Sequence, residues 1–277
     1  MSKGYVMMAM GKDYIQQAYL CALSIKQTQK INTTCLITNE KLSKTYQEVF
    51  DHVIPIPWTI DKDYYMTQER WKVYHASPFT ESILLDTDMI FLTNQDYVWE
   101  YMKPFDICFP TSVKNYRNKI VTNSFYRQAF VKNNLPMIYC AQHYFKKSTK
   151  AHNYYNILEL ICKNYEDFYN IYVKKAKPKY CSMDLNHAIA VTHLNLNDCF
   201  SHTLSFTHMK SRVQDWENPT ENWLEDIQFY FDQEKQLKVG NYKQLGLFHY
   251  VENAFCEKVV KNYAWNNYHK TVRKFFT

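Results

Sequence analysis

Two aspartates, Asp86 and Asp88, close the apolar run Ser82-Ile83-Leu84-Leu85, and three more apolar residues, Met89-Ile90-Phe91, follow them. A short apolar run of this kind reads as a buried strand of a parallel sheet. Residues two apart on a strand share a face, so both carboxylates would point the same way. Two anions there are costly unless something positive sits between them. A divalent cation bridging to phosphate oxygens would supply that charge, and hard oxygen donors suit Mg²⁺ or Mn²⁺. The alternative is that one aspartate caps the next turn and the other is solvated. Two later apolar segments carry a histidine: His208 in Leu204–Lys210 and His249 in Gly246–Tyr250. One neutral imidazole added to two carboxylates makes a sensible Mn²⁺ site, although a lone histidine is more often a core or surface residue. Cys199, His202 and His208 lack a fourth ligand at ordinary zinc spacing.

Composition narrows the chemistry. Only 4 glycines occur in 277 residues, with no GxGxxG and no Walker lysine loop, so phosphate must be met by a metal, side chains and helix ends. A net charge of +6 fits anionic substrates or an acidic surface without arguing for nucleic acid. Hydrophobic residues at 46% and charged residues at 22% describe a globular chain, long enough for one large core. The 8 cysteines form no CxxC and lie mostly inside apolar runs, as small buried hydrophobes of a reducing compartment do. No leader pattern and no run of about 20 apolar residues is apparent, so the expectation is a soluble cytoplasmic protein.

The elements that must position the carboxylates follow from periodicity. Strands are expected at 4–10, 34–38, 52–57 and 83–91. Between them stand an amphipathic helix at 13–28 (Ile15, Ala18, Tyr19, Ala22, Leu23), a polar helix near 41–50 and a short helix at 67–76. This alternation argues an open α/β sheet with right-handed crossovers, whose ligands sit outside the carboxyl ends of the strands. Asp86 and Asp88 lie at such an end, and the loop Met10–Tyr14 should face the same crevice. Further on, a short helix and a strand occupy 96–110, and a polar insertion at 111–135 has the length of an active-site lid. A strand at 137–141, one or two aromatic-rich helices over 150–174, a helix capped by Ser182 and strands ending at His208 and His249 complete the chain.

Strand, loop, helix, then a hydrophobic strand closing on Asp-x-Asp: this order resembles the GT-A fold glycosyltransferases, most closely family 8, the glycogenin and bacterial galactosyltransferase type. The resemblance is good over about residues 4–110 and then thins. It implies an α/β, Rossmann-like open mixed sheet flanked by helices. Residues 1–110 would form the nucleotide-sugar half, 111–257 the acceptor-side half and 258–277 a basic aromatic tail. The segment from Ala9 and Met10 to Tyr14 looks like the family's first loop, with the tyrosine stacking on the base. Asp86 and Asp88 would hold Mn²⁺ or Mg²⁺ against the diphosphate of a UDP-sugar, with Thr87 beside them at the cofactor and Arg70 and Lys72 adding positive charge. Asp184 matches the family's aspartate near the sugar, whereas Leu185 stands where glutamine is usual. Cys140-Ala141-Gln142-His143 keeps only the alanine of the family's turn. Trp216 follows His208 at the family's spacing, and Lys210 lies nearer the histidine than the family's lysine.

The activity implied is hexose transfer from a UDP-sugar to a glycan, lipid or protein hydroxyl, with retention, Asp184 near the anomeric carbon and Lys210 assisting. Bland readings remain for each: Asp184 can simply favour a helix N-terminus, and Arg70 and Lys72 can line a solvated helix face. A phosphatase of the haloacid dehalogenase type also places Asp-x-Asp after an apolar strand, but Gly-Thr would follow where Met89-Ile90 stands. A non-enzymatic protein that binds nucleic acid or a membrane surface through its basic tail leaves the aspartates unexplained. Tail packing on the domain is the alternative to peripheral contact with lipid.

Overall fold

The computed structural model describes residues 2–58, 66–121, 127–211, 220, 222–234 and 236–260. In chain order these form β1 (Lys3–Met8), α1 (Lys12–Thr28), β2 (Thr34–Ile37), α2 (Lys44–Gln47), β3 (His52–Ile54), α3 (Met66–Glu69), α4 (Lys72–Ala76), β4 (Glu81–Leu85) and β5 (Met89–Phe91). Next come α5 (Tyr97–Met102), β6 (Ile107–Pro110), α6 (Gln128–Lys132), β7 (Gln142–Lys146), α7 (Thr149–Lys163), α8 (Tyr165–Tyr172) and α9 (Met183–His193). The remainder holds β8 (Phe200–Ser201), β9 (Thr207–His208), α10 (Trp223–Asp226), β10 (Phe229–Phe231), β11 (Leu237–Val239), β12 (Tyr242–Lys243), β13 (Leu247–His249) and α11 (Asn253–Val260).

Seven strands build a mixed sheet in the order β3-β2-β1-β4-β7-β6-β8, in which β7 runs antiparallel to both neighbours and the other pairs are parallel. Its central strands β1 and β4 are mostly apolar because both faces are covered. Tyr5, Met7, Ile83 and Leu85 join one buried cluster with α1, while the alternate residues Val6 and Leu84 join a second cluster with α7 and α9. Helix α1 buries more than one stripe, including Leu20, Cys21 and Ile25, since it lies between the large sheet and the three-stranded sheet β5-β13-β9. All eight cysteines are buried thiols.

Several expectations need correction. The run 83–91 is not one strand: β4 stops at Leu85, and β5 leaves for the small sheet. The reason lies in hydrogen bonding. Asp86 N–H still donates to Ala141 C=O of the large sheet (2.8 Å), whereas Asp88 C=O already accepts from Tyr250 N–H (3.1 Å). The helix expected at 67–76 breaks into α3 and α4 around Arg70 and Trp71. Residues 137–141 form no strand; the ladder begins at Gln142, after a turn at Cys140 and Ala141. The insertion is not a free lid over its described part, since Val113, Asn115 and Tyr116 are buried and Lys114 bridges Thr207. Ser182 occupies the N-cap position of α9 but makes no side-chain cap bond. Trp216 and residues 261–277 of the tail lie outside the described residues.

Candidate active site

Asp86 and Asp88 flank Thr87 in the tight turn between the two sheets, and the turn faces His249. In β13, His249 is the register partner of Met89 on one side and of His208 on the other. Its Nε2 lies 3.0 Å from Asp88 Oδ2 and 4.0 Å from Asp86 Oδ2. One ligand atom from each of Asp86, Asp88 and His249 lies within 4.8 Å of the others. Burial works against a charged imidazole, yet the Asp88 and Asp86 carboxylates outweigh it and hold the His249 pKa above its ordinary value. The Asp86 pKa is raised by burial, opposed by Arg70 and reinforced by Asp88. Two carboxylates and an imidazole make a donor set for a hard or borderline divalent cation, so the residues fit Mn²⁺ or Mg²⁺. His249 Nδ1 is buried without a hydrogen-bond partner among the described residues.

On one side of this cluster opens a cavity of about 270 Å³, walled by Ala9, Met10, Tyr14, Arg70 and the whole Asp86-Thr87-Asp88 turn. Gly11, the N-cap residue of α1, has φ at 88°, a left-handed conformation that a side chain would strain, and its N–H donates to Glu40 Oε1 (2.9 Å). Arg70, between α3 and α4, places its guanidinium 2.5 Å from Asp86 Oδ1. Burial would lower the Arg70 pKa, but Asp86 raises it further, so the cation is permanent. Tyr14 is half exposed, with its ring available at the cavity.

On the other side, sharing Asp86 and reaching His249, lies a cavity of about 280 Å³ that includes Arg127, Tyr139, Ser182, Asp184, His208 and Lys210. Asp184 stands in the first turn of α9 and accepts the Cys140 N–H (2.7 Å) while pairing with Arg127. Burial would raise its pKa, but Arg127 and the Cys140 bonds take it down to about 2. Arg127 also donates to Ile138 C=O and lies over the rings of Phe130 (4.0 Å) and Tyr139 (4.1 Å). His208 bonds Ser211 Oγ through Nδ1 (2.8 Å), and burial together with His249 pushes its pKa well down.

The structure thus brings Ala9, Met10, Tyr14, Arg70, Asp86, Thr87 and Asp88 to one cavity and Asp184, Lys210 and His208 to the next, with His249 at the carboxylates. It places Lys72 elsewhere: buried, ion-paired with Glu69 one turn earlier, and in the wall of neither cavity. Reasoning on sequence missed Arg127, since nothing local marks one cation among those of a polar insertion. It also missed Gln17, whose Oε1 accepts from Thr87 Oγ1 (3.0 Å) and whose Nε2 donates to Asn253. The available signal was a polar residue on the apolar side of 13–28.

The sequence matches no protein-family model and no curated protein. Solved structures do match. An active-site mutant of LgtC superposes with a TM-score of 0.54 at 11% identity, over 96% of this chain and 94% of that one. The fold is that of the GT-A glycosyltransferases. Apo GlyE of Streptococcus pneumoniae TIGR4 gives 0.51 at 11% identity over 100% of this chain, which spans only 63% of GlyE. Apo mouse xyloside xylosyltransferase 1 gives 0.50 at 10% identity, over 89% and 97% of the two chains. In this GT-A arrangement the Asp86-Thr87-Asp88 turn sits where the large sheet hands over to the small one. Among the described residues no helix is long and apolar enough to cross a membrane.

Proposed function

We propose that the protein is a metal-dependent, retaining glycosyltransferase of the family 8 type, a cytoplasmic catalytic unit that moves a hexose from a UDP-sugar to a hydroxyl acceptor. The observation that carries this reading is the position of the Asp86–Asp88–His249 cluster on the wall between two cavities of a GT-A fold. The first cavity suits the nucleotide, with the Tyr14 ring for the base and Arg70 for the diphosphate. The second suits the sugar and its acceptor, with Asp184 and Lys210 in its wall. Asp86, Asp88 and His249 would hold Mn²⁺ or Mg²⁺, which when bound supplies countercharge for the departing diphosphate.

The chain's own residues do the rest. Arg70 keeps a fixed positive charge beside Asp86, where the phosphates would be met. Asp184 stays ionised at any physiological pH and is oriented by Arg127 and the Cys140 amide, which suits it to stabilise positive charge developing at the anomeric carbon. His249, and not His208, is assigned as third ligand, because His249 Nε2 faces both carboxylates while His208 spends Nδ1 on Ser211. Lys72 receives no direct role with the donor. The described structure favours neither the phosphatase nor the nucleic-acid reading.

A thermal-shift screen of UDP, GDP and UDP-hexoses with and without Mn²⁺ tests the proposal. A ligand that binds only the native state raises the midpoint, so UDP and one UDP-hexose should do so with metal and not in EDTA. Equal shifts with and without metal, or none with any nucleotide, overturn it.

A further inference from the structure

One chain of hydrogen bonds reaches the Asp184 carboxylate and the Asp86 backbone from a single turn. Cys140 N–H donates to Asp184 Oδ1 (2.7 Å), and the next residue, Ala141, accepts the backbone N–H of Asp86 through its C=O (2.8 Å). Cys140 and Ala141 precede β7; the Asp86–Ala141 bond extends the β4–β7 register one residue beyond Gln142, and Cys140 lies past it, so strand pairing alone does not orient the Cys140 N–H. The Cys140 C=O is met by His143 Nδ1 at 3.1 Å. A carbonyl can only accept, so Nδ1 carries the proton. Burial pushes the His143 pKa down to about 3, which leaves the ring neutral and Nε2 a bare acceptor. Tyr155 Oη, 2.9 Å away, therefore donates to Nε2 and selects the tautomer. Cys140, His143 and Tyr155 are 3%, 2% and 1% exposed, and Tyr155 is stacked on Tyr74 at 4.4 Å. No step of the proposed chemistry uses His143 or Tyr155.

We propose that His143 is a positioning residue: held in one tautomer by Tyr155, it fixes the Cys140–Ala141 turn and thereby the Asp184 carboxylate relative to the Asp86 end of the metal site. The inference rests on the glycosyltransferase reading for its kinetic consequence but not for its geometry. A fully satisfied buried network of this kind rigidifies what it touches. Displacing a reacting group by about 1 Å can cost on the order of 100-fold in rate, so an indirect hold on Asp184 is enough to matter.

Four proteins separate positioning from filling space: wild type, His143→Leu, His143→Asn and Tyr155→Phe. Leucine removes the donor to Cys140, whereas the asparagine amide can place an N–H near the position of Nδ1. Two readouts are used, turnover of UDP-glucose and UDP-galactose with Mn²⁺, and the Cys140 amide proton in an ¹⁵N-resolved NMR spectrum. In His143→Leu, kcat is expected to fall by at least about 10-fold, the scale seen when outer-shell partners of a site are lost, with donor KM and Mn²⁺-dependent UDP affinity within about 2-fold. The Cys140 amide proton, held downfield by the carboxylate, moves upfield in that variant. His143→Asn restores most of kcat and the amide position, and Tyr155→Phe falls between. Wild-type kcat in His143→Leu, or an asparagine variant no better than leucine, overturns the proposal. So does a loss in which kcat and KM change together with the melting temperature, which marks a structural role. Should His143→Leu not fold, Tyr155→Phe decides: wild-type kcat with an unmoved Cys140 amide overturns the proposal, and reduced kcat with a moved amide supports it. If wild type turns over no nucleotide sugar, the functional reading fails by itself, and an unmoved Cys140 amide in His143→Leu would then sink the positioning claim separately.

Discussion

Asp88→Asn keeps the shape of the side chain and removes one charge from the cluster. Asp88 Oδ2 stands 3.0 Å from His249 Nε2, and the two side chains are 20% and 8% exposed. A hydrogen bond to a charged partner contributes about 1.5–3 kcal/mol, and relief of the repulsion between Asp86 and Asp88 offsets part of its loss. From the carboxylate pair alone one expects no loss of stability, or a gain; the His249 contact reverses the sign. The melting temperature should therefore drop, by less than about 8 °C for a net loss under about 2 kcal/mol at roughly 2–4 °C per kcal/mol in a chain of this size. The larger effect appears with ligand. At 100 times its dissociation constant, UDP with Mn²⁺ stabilises the native state by about 2.7 kcal/mol, and a 100-fold weaker site leaves only about 0.4 kcal/mol at the same concentrations. The metal-dependent shift should thus collapse from about 5–11 °C to about 1–2 °C. Differential scanning fluorimetry with UDP in Mn²⁺ and in EDTA measures both quantities. An Asp88→Asn protein that folds and keeps the full Mn²⁺-dependent UDP shift refutes the assignment of Asp88 as a ligand.

His249→Ala should weaken Mn²⁺-dependent UDP binding by about 10–100-fold in calorimetric titration, with His208→Ala near wild type; the opposite ranking would transfer the ligand role to His208. Because the His249 pKa is raised, metal must displace a proton from the imidazole below that pKa. Mn²⁺ affinity should therefore climb as pH rises through it, then level off, and His249→Ala should flatten the profile. Asp184→Asn should leave UDP affinity nearly unchanged while turnover falls strongly. A folded-state pKa lowered to about 2 contributes stability above the ordinary carboxylate range that is lost as pH falls through about 2. That contribution is roughly 2 kcal/mol, so the acid limb of the wild-type melting curve should be steeper than that of Asp184→Asn. Gly246 opens the approach to β13 at φ 70°, with Gln95 Nε2 only 2.6 Å from where a Cβ would stand. Gly246→Ala should cost about 1–2 kcal/mol in chemical denaturation and weaken Mn²⁺-dependent UDP binding as His249 shifts.

What the sequence determined by itself is whatever depends on neighbours along the chain. The apolar runs of β1, β2 and β4 and the helical period of α1 were legible because burial on both faces of a parallel sheet leaves an unmistakable local pattern. The Asp-x-Asp spacing pointed to the candidate site for the same reason, as did the first loop from Ala9 to Tyr14, since the carboxyl ends of neighbouring parallel strands converge. Tertiary structure alone decided how these pieces are used. His208 and His249 are 41 residues apart yet lie side by side in one small sheet, and only the register and the aim of each ring tell which faces Asp88. Lys72 read as well as Arg70, but in the folded chain Arg70 meets Asp86 whereas Lys72 pairs with Glu69. Arg127 meets Asp184 across 57 residues, a pairing that composition cannot mark. The turn at Asp86–Asp88 likewise exists because two sheets compete for its backbone, Ala141 taking one end and Tyr250 the other. Hydrogen bonds and ion pairs of this kind act over a few ångströms in space, whatever the separation in sequence, and only the folded chain sets that distance.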